Sequence, residues 1–230
     1  VAPINPGSGA ESILRFLAER MATVVGQPTY VDNRPGGDHL VEVQNILNSP
    51  VDGTSILMIG TATMFLNPEI TRNIRPLINV ANASAAIIVP AGSPYRSLDE
   101  LLAAARKSPG EVSLASYALS YQVARLLLED TAKVRFTYIP YKGANQMMSD
   151  LIGNSLDAGV ADVGGALPLI RTGKVRALAV TGNARHPDLP NVPPVGETVP
   201  NFSYFAESAW AFTARRLNLS SSHWNRPCSR

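Results

Sequence analysis

Pro3-Ile4-Asn5-Pro6-Gly7-Ser8-Gly9-Ala10-Glu11 is a small, glycine-rich turn that runs into an amphipathic segment. A turn of this kind presents backbone N–H groups that no helical carbonyl satisfies, together with the positive end of a helix dipole. The chemistry it favours is anion binding. Beyond Ser12, the residues Ile13, Leu17, Met21 and Val24 fall four, four and three apart, with Glu11, Arg15, Glu19 and Arg20 mostly between them. That spacing predicts a helix with those four residues as its apolar face.

Several readings compete for the turn. Gly7-Ser8-Gly9-Ala10-Glu11-Ser12 resembles the dinucleotide fingerprint, with Ser12 in place of its third glycine, and Asp32 stands where a ribose-binding acid would lie. On that reading the chain is an NAD(P)-dependent oxidoreductase. Against it, Asn5-Pro6 lengthens the approach to the turn and Ser12 suits tight helix–strand packing poorly. A plain βα turn with no ligand is another reading, and capture of a different anion a third.

Other chemistry finds little footing. No G-x-S-x-G elbow is present. His186 reads as part of a solvated loop and His39, beside Asp38, as surface. Met147-Met148 reads as core rather than a soft-metal site. Asp99-Glu100 belongs to a helix start, where the dipole favours acids. The single cysteine, Cys228, excludes an internal disulfide, and with three histidines it gives no zinc-like spacing. No metal and no cofactor is expected.

The elements that must position the turn follow from periodicity. Val1-Ala2 is the stub of a first strand and Thr29-Tyr30-Val31 a short second one. Leu40, Val43 and Leu47 mark a helix. Ser55 to Ile59 is a buried strand that empties into Gly60-Thr61-Ala62-Thr63. Residues 69–79 carry little pattern. Ala85 to Val89 is a strand. Ser97-Leu98-Asp99-Glu100 is a capping box opening a helix that carries Leu101, Leu102 and Ala105. Val112 to Ser116 is a strand, followed by a helix from about Ser120 to Ala132. Then come strand 136–139, loop Pro140-Tyr141-Lys142-Gly143, a helix ending at Gly153, strand 156–163, a short helix 167–172 and strand 175–181. Pro187 to Pro200 is proline-rich and extended or looped. Phe202 to Thr213 contains a strand.

Alternating strands and helices predict parallel α/β sheets with helices on both faces. The two βα series, 1–89 and 110–182, predict two similar lobes. Loops 5–11, 60–63 and 116–120 all follow strands, where α/β sheets bind ligands. The chain has 230 residues, a 45% apolar fraction and a net charge of +2. The scattered charge gives no nucleic-acid stripe, and no apolar run reaches the ~18 residues of a membrane span. The first residue already sits inside a strand, so a leader is expected to have been removed.

Six stretches then line up with one family. Pro3 to Glu11 with Arg15 resembles P-F-x-P-G-G-x-x-D-x-x-A-R, and Val31-Asp32-Asn33-Arg34-Pro35-Gly36 resembles V-E-N-R-P-G. Pro50, Asp52-Gly53 and Ser55 resemble P-D-G-x-T. Ile139 to Gly143 resembles V-P-Y-K-G, and Gly173 to Val180 resembles G-K-x-R-A-L-A-V. Pro190-Asn191-Val192-Pro193 with Glu197 resembles P-x-V-P-T-x-x-E. In this order the chain resembles the Bug family of bacterial extracytoplasmic solute-binding proteins, the receptors of tripartite tricarboxylate transporters.

The resemblance implies an α/β protein with a two-lobe periplasmic binding protein type II fold and parallel-rich sheets with flanking helices. It implies residues 1–88 with 206–230 as one lobe and 89–205 as the other. The implied role is a periplasmic binding protein, not an enzyme, that closes on a small carboxylated solute: a dicarboxylate, an aromatic acid or an amino acid. Its implied partners are the membrane subunits of the transporter, and no nucleic acid. By the same resemblance the first lobe binds through Pro6, Gly7, Ser8, Gly9, Ala10, Glu11, Gly60, Thr61 and Ala62. The second binds through Ser116, Ala118, Ser120, Gln122, Asp162 and Thr181.

The departures are local. Glu11 replaces an aspartate, Ser8 a glycine, Ala118 a glycine and Gln122 a histidine, so the second-lobe loop is bulkier. Gly37-Asp38-His39 replaces a more glycine-rich loop. After Trp210-Ala211-Phe212 the family pattern A-P-A-G-T-P gives way to Thr213-Ala214-Arg215-Arg216-Leu217 and a Ser/Arg/Asn-rich end. Codons for A-P-A-G read out of frame can yield Ala-Arg-Arg, and a truncated or frameshifted C-terminus is the expectation. Sequencing the parent gene checks it. An intact frame, with no family-like continuation in the next one, excludes it.

Overall fold

The computed structural model describes residues 1–2, 9–34, 40–50, 52–66, 68 and 72–213. Two compact units divide the chain, Val1–Val80 with Ser208 onward, and Ala81–Glu207. The division falls at residues 80 and 207, where the sequence placed it at 88 and 205.

In the first unit, α1 (Gly9–Val25) and α2 (Leu40–Asn48) precede β1 (Leu57–Gly60) and α3 (Thr61–Leu66). A three-stranded sheet has the order β1-β8-β2, with β2 at Ile74–Ala83 and β8 at Ala206–Thr213. β1 and β8 are antiparallel, Leu57 opposite Ala211. Successive β1 side chains face opposite ways. Leu57 and Ile59 join Val43 and Ile46 of α2 in one cluster, while Met58 joins Ala2 and Leu14 of α1 in another. The predicted first strand is a two-residue ladder. The Val1 amino group donates to Ile56 O at 2.7 Å and Met58 N donates to Val1 O at 3.0 Å. Ala2 N donates to Asp32 O at 2.9 Å and Arg34 N to Ala2 O at 2.8 Å.

The second unit is a three-layer sandwich. Its five-stranded sheet has the order β5-β4-β6-β3-β7, made of β3 (Ala85–Pro90), β4 (Ser113–Ser116), β5 (Thr137–Pro140), β6 (Ala158–Asp162) and β7 (Val175–Val180). Every residue of β3 is buried. Ala85, Ile87 and Val89 pack with α4 (Leu98–Lys107) and α5 (Leu119–Ala132) on one face. Ala86 and Ile88 pack with α6 (Ala144–Ile152) and α7 (Val163–Arg171) on the other. Met147 and Met148 of α6 are core, as their pattern predicts. The Ser97 side chain caps α4 by accepting from Glu100 N at 3.3 Å, and Glu100 reaches back to Arg96 N at 2.6 Å, one residue before the expected partner.

Four local expectations are corrected. Residues 29–31 form no strand; among the described residues the extended segment there makes one parallel bridge, Asn33 with Ala2. β2 crosses the stretch without a legible pattern. It is a sheet edge, the place in a sheet where a proline such as Pro76 is accommodated. The buried face of α1 is Glu11, Leu14 and Ala18, with Ile13 and Val24 exposed. Two adjacent stripes of this helix both read as apolar, and packing against Ala2 and Met58 selects the one containing Leu14. α7 starts at Val163, not Leu167, because the Asp162 side chain caps it by accepting from Gly165 N. The second sheet is also mixed: β4 runs parallel to β5 and β6, and β3 runs antiparallel to β6 and β7.

The sandwich makes unequal demands on two leucines of α5. Leu128 is 1% exposed and Leu126 is 43% exposed. Leu128→Ala is expected to cost about 2–5 kcal/mol through lost transfer energy and a residual cavity. Leu126→Ala is expected to cost about 0.5 kcal/mol or less. Urea unfolding of the two variants, followed by circular dichroism, measures the difference.

Candidate functional site

The second unit brings its six candidates to one rim. β4 and β6 are parallel, and β3 runs antiparallel to both β6 and β7, so β4, β6 and β7 all end on the same side. Ser116 ends β4, Asp162 ends β6, and Thr181 follows β7. Ala118, Ser120 and Gln122 lie where α5 leaves that rim. This is the side of a sheet at which α/β proteins place ligands.

The side chains at the rim differ in how far they are committed. Ser116 is fully buried, its Oγ 3.1 Å from Tyr138 Oη, and its carbonyl accepts from Tyr141 N at 2.9 Å. Thr181 is buried, and its Oγ1 accepts from Ala85 N at 3.0 Å while its own N–H donates to Ala85 O at 2.8 Å. These two hydroxyls hold strand ends together. Asp162 has both carboxylate oxygens engaged. Oδ1 accepts from the Tyr117 hydroxyl and Oδ2 from Gly165 N. A Cβ at position 165 would fall 2.9 Å from Oδ2, so glycine there lets the cap close.

Two helices starting at this rim have no such cap. α5 begins after Ala118 and α6 after Gly143, both extended and neither giving a side-chain cap, and among the described residues no other side chain is bonded to the first-turn N–H groups. Orphan N–H groups of this kind need a partner from solvent or ligand. At α5 the backbone N–H groups of Tyr121 and Gln122 are both spent on Ala118 O, each at 3.0 Å, which leaves those of Leu119 and Ser120.

Sequence reasoning missed the tyrosines. Tyr117 and Tyr121 meet edge to face with ring centroids 5.1 Å apart. Burial pushes the Tyr117 hydroxyl far up from its usual range, helped by Tyr121 and by the Asp162 charge. Burial also raises Tyr121, with Asp162 adding to it. The Tyr204 backbone N–H donates to Thr181 O at 2.8 Å, while its hydroxyl is buried with no hydrogen-bond partner among the described residues. A buried donor left in that state costs about 1–3 kcal/mol. The only available signal was the density of tyrosine in 117–141, which has no periodicity that separates packing from function.

In the first unit, Pro6, Gly7 and Ser8 lie outside the described residues, and so does the altered tail beyond Thr213. Gly9 and Ala10 open α1, and Glu11 sits in its first turn. Glu11 is buried, and its Oε1 accepts from Arg15 Nη2 at 2.6 Å and Nε at 2.9 Å. Gly60 ends β1, Thr61 opens α3, and Ala62 is buried. Val1 pairs in parallel with β1, so Ala2 and Gly60 leave their ladder at the same end. Asp32, the acid of the dinucleotide reading, accepts from Arg34 Nε at 2.8 Å. Among the described residues no cluster of His, Cys, Asp or Glu could hold a metal ion.

A model of the tripartite tricarboxylate transporter family receptor matches residues 13–215. The chain is 34% identical over 206 residues to the UPF0065 protein in the tcbD-tcbE intergenic region of Pseudomonas sp. strain P51, covering 86% of this chain and 61% of that relative. It thus spans about three fifths of that relative's length. Among solved structures, periplasmic binding protein BugD superposes with a TM-score of 0.78 at 26% identity, covering 92% of this chain and 74% of the other. R. palustris Rpa4515, solved with adipate, superposes with a TM-score of 0.79 at 24% identity, covering 93% and 76%. The periplasmic binding fold expected from the sequence is therefore the one found, and the oxidoreductase reading of the first turn falls away.

The tyrosine environments predict an alkaline signature. The hydrogen bond to Asp150 pushes Tyr141 up to about 12, and burial pushes Tyr204 up to about 12, against a usual value of 10.0. Both groups hold their proton more tightly folded than unfolded. Their stabilisation is complete below pH 10 and is lost as pH rises through about 12. Ultraviolet titration of tyrosinate is expected to lag in the native chain and to complete on unfolding. Asp150→Asn is expected to return Tyr141 toward its usual value.

Proposed function

We propose that this chain, which belongs to the tripartite tricarboxylate transporter receptor family, is an extracytoplasmic solute-binding protein that captures a small carboxylated solute for a tripartite tricarboxylate-type transporter. The observation that carries the reading is the second-unit rim. Two helix N-termini without side-chain caps, α5 and α6, start on the side where β4 and β6 end. Backbone N–H groups and dipoles can hold a carboxylate there without a cation.

On the first unit, the candidates are the turn Pro6 to Glu11 and the junction Gly60-Thr61-Ala62. Ala2 and Gly60 leave their ladder at one end, which supports a shared role for the two loops. On the second unit, Ala118, Ser120 and Gln122 are proposed to face the solute. Ser116, Asp162 and Thr181 are proposed to shape the rim, since their polar atoms are engaged inside the protein. Adipate in the R. palustris neighbour supports a carboxylate as the ligand class. Dicarboxylates, aromatic acids and amino acids are the classes proposed for this chain. The transporter's membrane subunits are its proposed partners, and the periplasm its location. Catalysis forms no part of the proposal.

A thermal-shift screen of mono-, di- and tricarboxylates against NAD(P) tests this. A carboxylate supplied at about 100 times its Kd is expected to stabilise the chain by about 2.7 kcal/mol. Stabilisation by a nucleotide and by no carboxylate would overturn the reading.

A further inference from the structure

Arg125 is a cation in an unexpected place. It lies on α5, two turns beyond the rim, and is only 7% exposed. A buried guanidinium must find compensation or the fold suffers. Arg125 Nη1 pairs with Glu129 one turn on, and its guanidinium carbon lies 4.4 Å from the centroid of the Tyr138 ring, while Nε has no hydrogen-bond partner among the described residues. Glu129 is itself tied down, because its Oε1 accepts from Phe136 N at 2.8 Å, just before β5. The charge is thus spent on fastening α5 to β5, and contributes nothing to an open anion site.

The fastening continues to the rim. The ring that Arg125 covers carries the hydroxyl 3.1 Å from Ser116 Oγ, on the last residue of β4. The next residue, Tyr117, donates to Asp162, which caps α7. The loop at Tyr117-Ala118 is therefore held from both ends. Its β4 end is held through Tyr138, and its α5 end is carried by the helix that bears Arg125.

We infer that Arg125 is a positioning residue for solute binding, which sets the β4–α5 loop through the Tyr138 ring and Ser116 without touching the solute. This rests on the carboxylate-capture reading for its functional consequence, while the geometry of the loop can be tested without any ligand.

Hydrogen exchange on the full chain is the first arm. In Arg125→Met, the amides of 117–122 and of Tyr141 are expected to exchange about tenfold faster, while those of α4 keep their protection. Arg125→Lys, which keeps the charge and the pair with Glu129, is expected to restore part of the protection. Tyr138→Phe is the milder variant, since it keeps the ring under Arg125 and removes only the hydroxyl. The second arm is calorimetric titration with adipate, succinate and benzoate. Tyr138→Phe and Ser116→Ala are each expected to weaken the best of these about fivefold with little change in melting temperature. The double variant is expected to lose no more than either alone, because both remove one bond. Unchanged loop exchange in Arg125→Met, or losses that add in the double variant, would overturn the inference. Failure of every acid to bind the unaltered chain would instead overturn carboxylate capture by these probes and the functional half of the inference with it, the exchange arm still deciding the structural half.

Discussion

Burial of β3 on both faces is the constraint on which the second unit depends. Six consecutive residues, Ala85 to Pro90, are buried, and their alternate side chains enter two different helical layers. A strand with no solvent face cannot slip by one residue without exchanging the sets it presents to the two layers. Its register against β6 and β7 therefore stays put, with Ala85 opposite Asp162 and Ala86 opposite Val180. Those pairings align the ends of β6 and β7, and the parallel pairing of β4 with β6 adds the third strand end. The rim is a consequence of the core.

Three helices start at that rim, and they are treated unequally. α7 receives the protein's own carboxylate, from Asp162, while α5 and α6 begin after Ala118 and Gly143, which have nothing to offer. An N-terminus that binds its own acid cannot also hold a solute's, so the division separates a structural end from two available ones. The Tyr117 bond to Asp162 strengthens the separation, since it takes the carboxylate oxygen that the cap leaves over.

Much of this organisation was legible in the chain. The strands at 57–60, 85–90, 113–116 and 175–180 are short apolar runs bounded by turn formers, and the helices between them have the right spacing. The loops at 60–63 and 116–120 were visible as small polar stretches after strands, whereas Asp162 and Thr181 came only from the family resemblance. What could not be read was set by tertiary partners. Leu14 rather than Ile13 faces inward because Ala2 and Met58 wait there. β2 is a strand because β8 comes beside it from more than 120 residues further on, and nothing local in Ile74 to Ala83 announces it. The antiparallel entry of β3 is likewise invisible, since a buried run reads the same in either direction. Tyr117, Tyr138 and Arg125 escaped for a related reason. Each acts through a partner 4 to 45 residues away, and only the last of these relations, Arg125 with Glu129, has helical spacing.

The placement of charge narrows how a solute can be held. In the loops around the second-unit rim, Arg185 pairs with Glu197, and Lys142 is exposed at the end of β5, an edge strand separated from β6 by β4. Arg125 is committed to Glu129 and to the Tyr138 ring. Among the described residues of the second unit, the groups proposed to meet a carboxylate at the start of α5 are backbone N–H groups and neutral side chains rather than a cation. Hydrogen bonds of that kind gain strength from the ligand's charge, but they reward geometry more than net charge, because each N–H points along one direction. A binding site built this way discriminates by shape and by the position of acceptor oxygens. That places a premium on holding the β4–α5 loop still, and it gives a physical reason for spending a buried arginine behind the rim instead of on it.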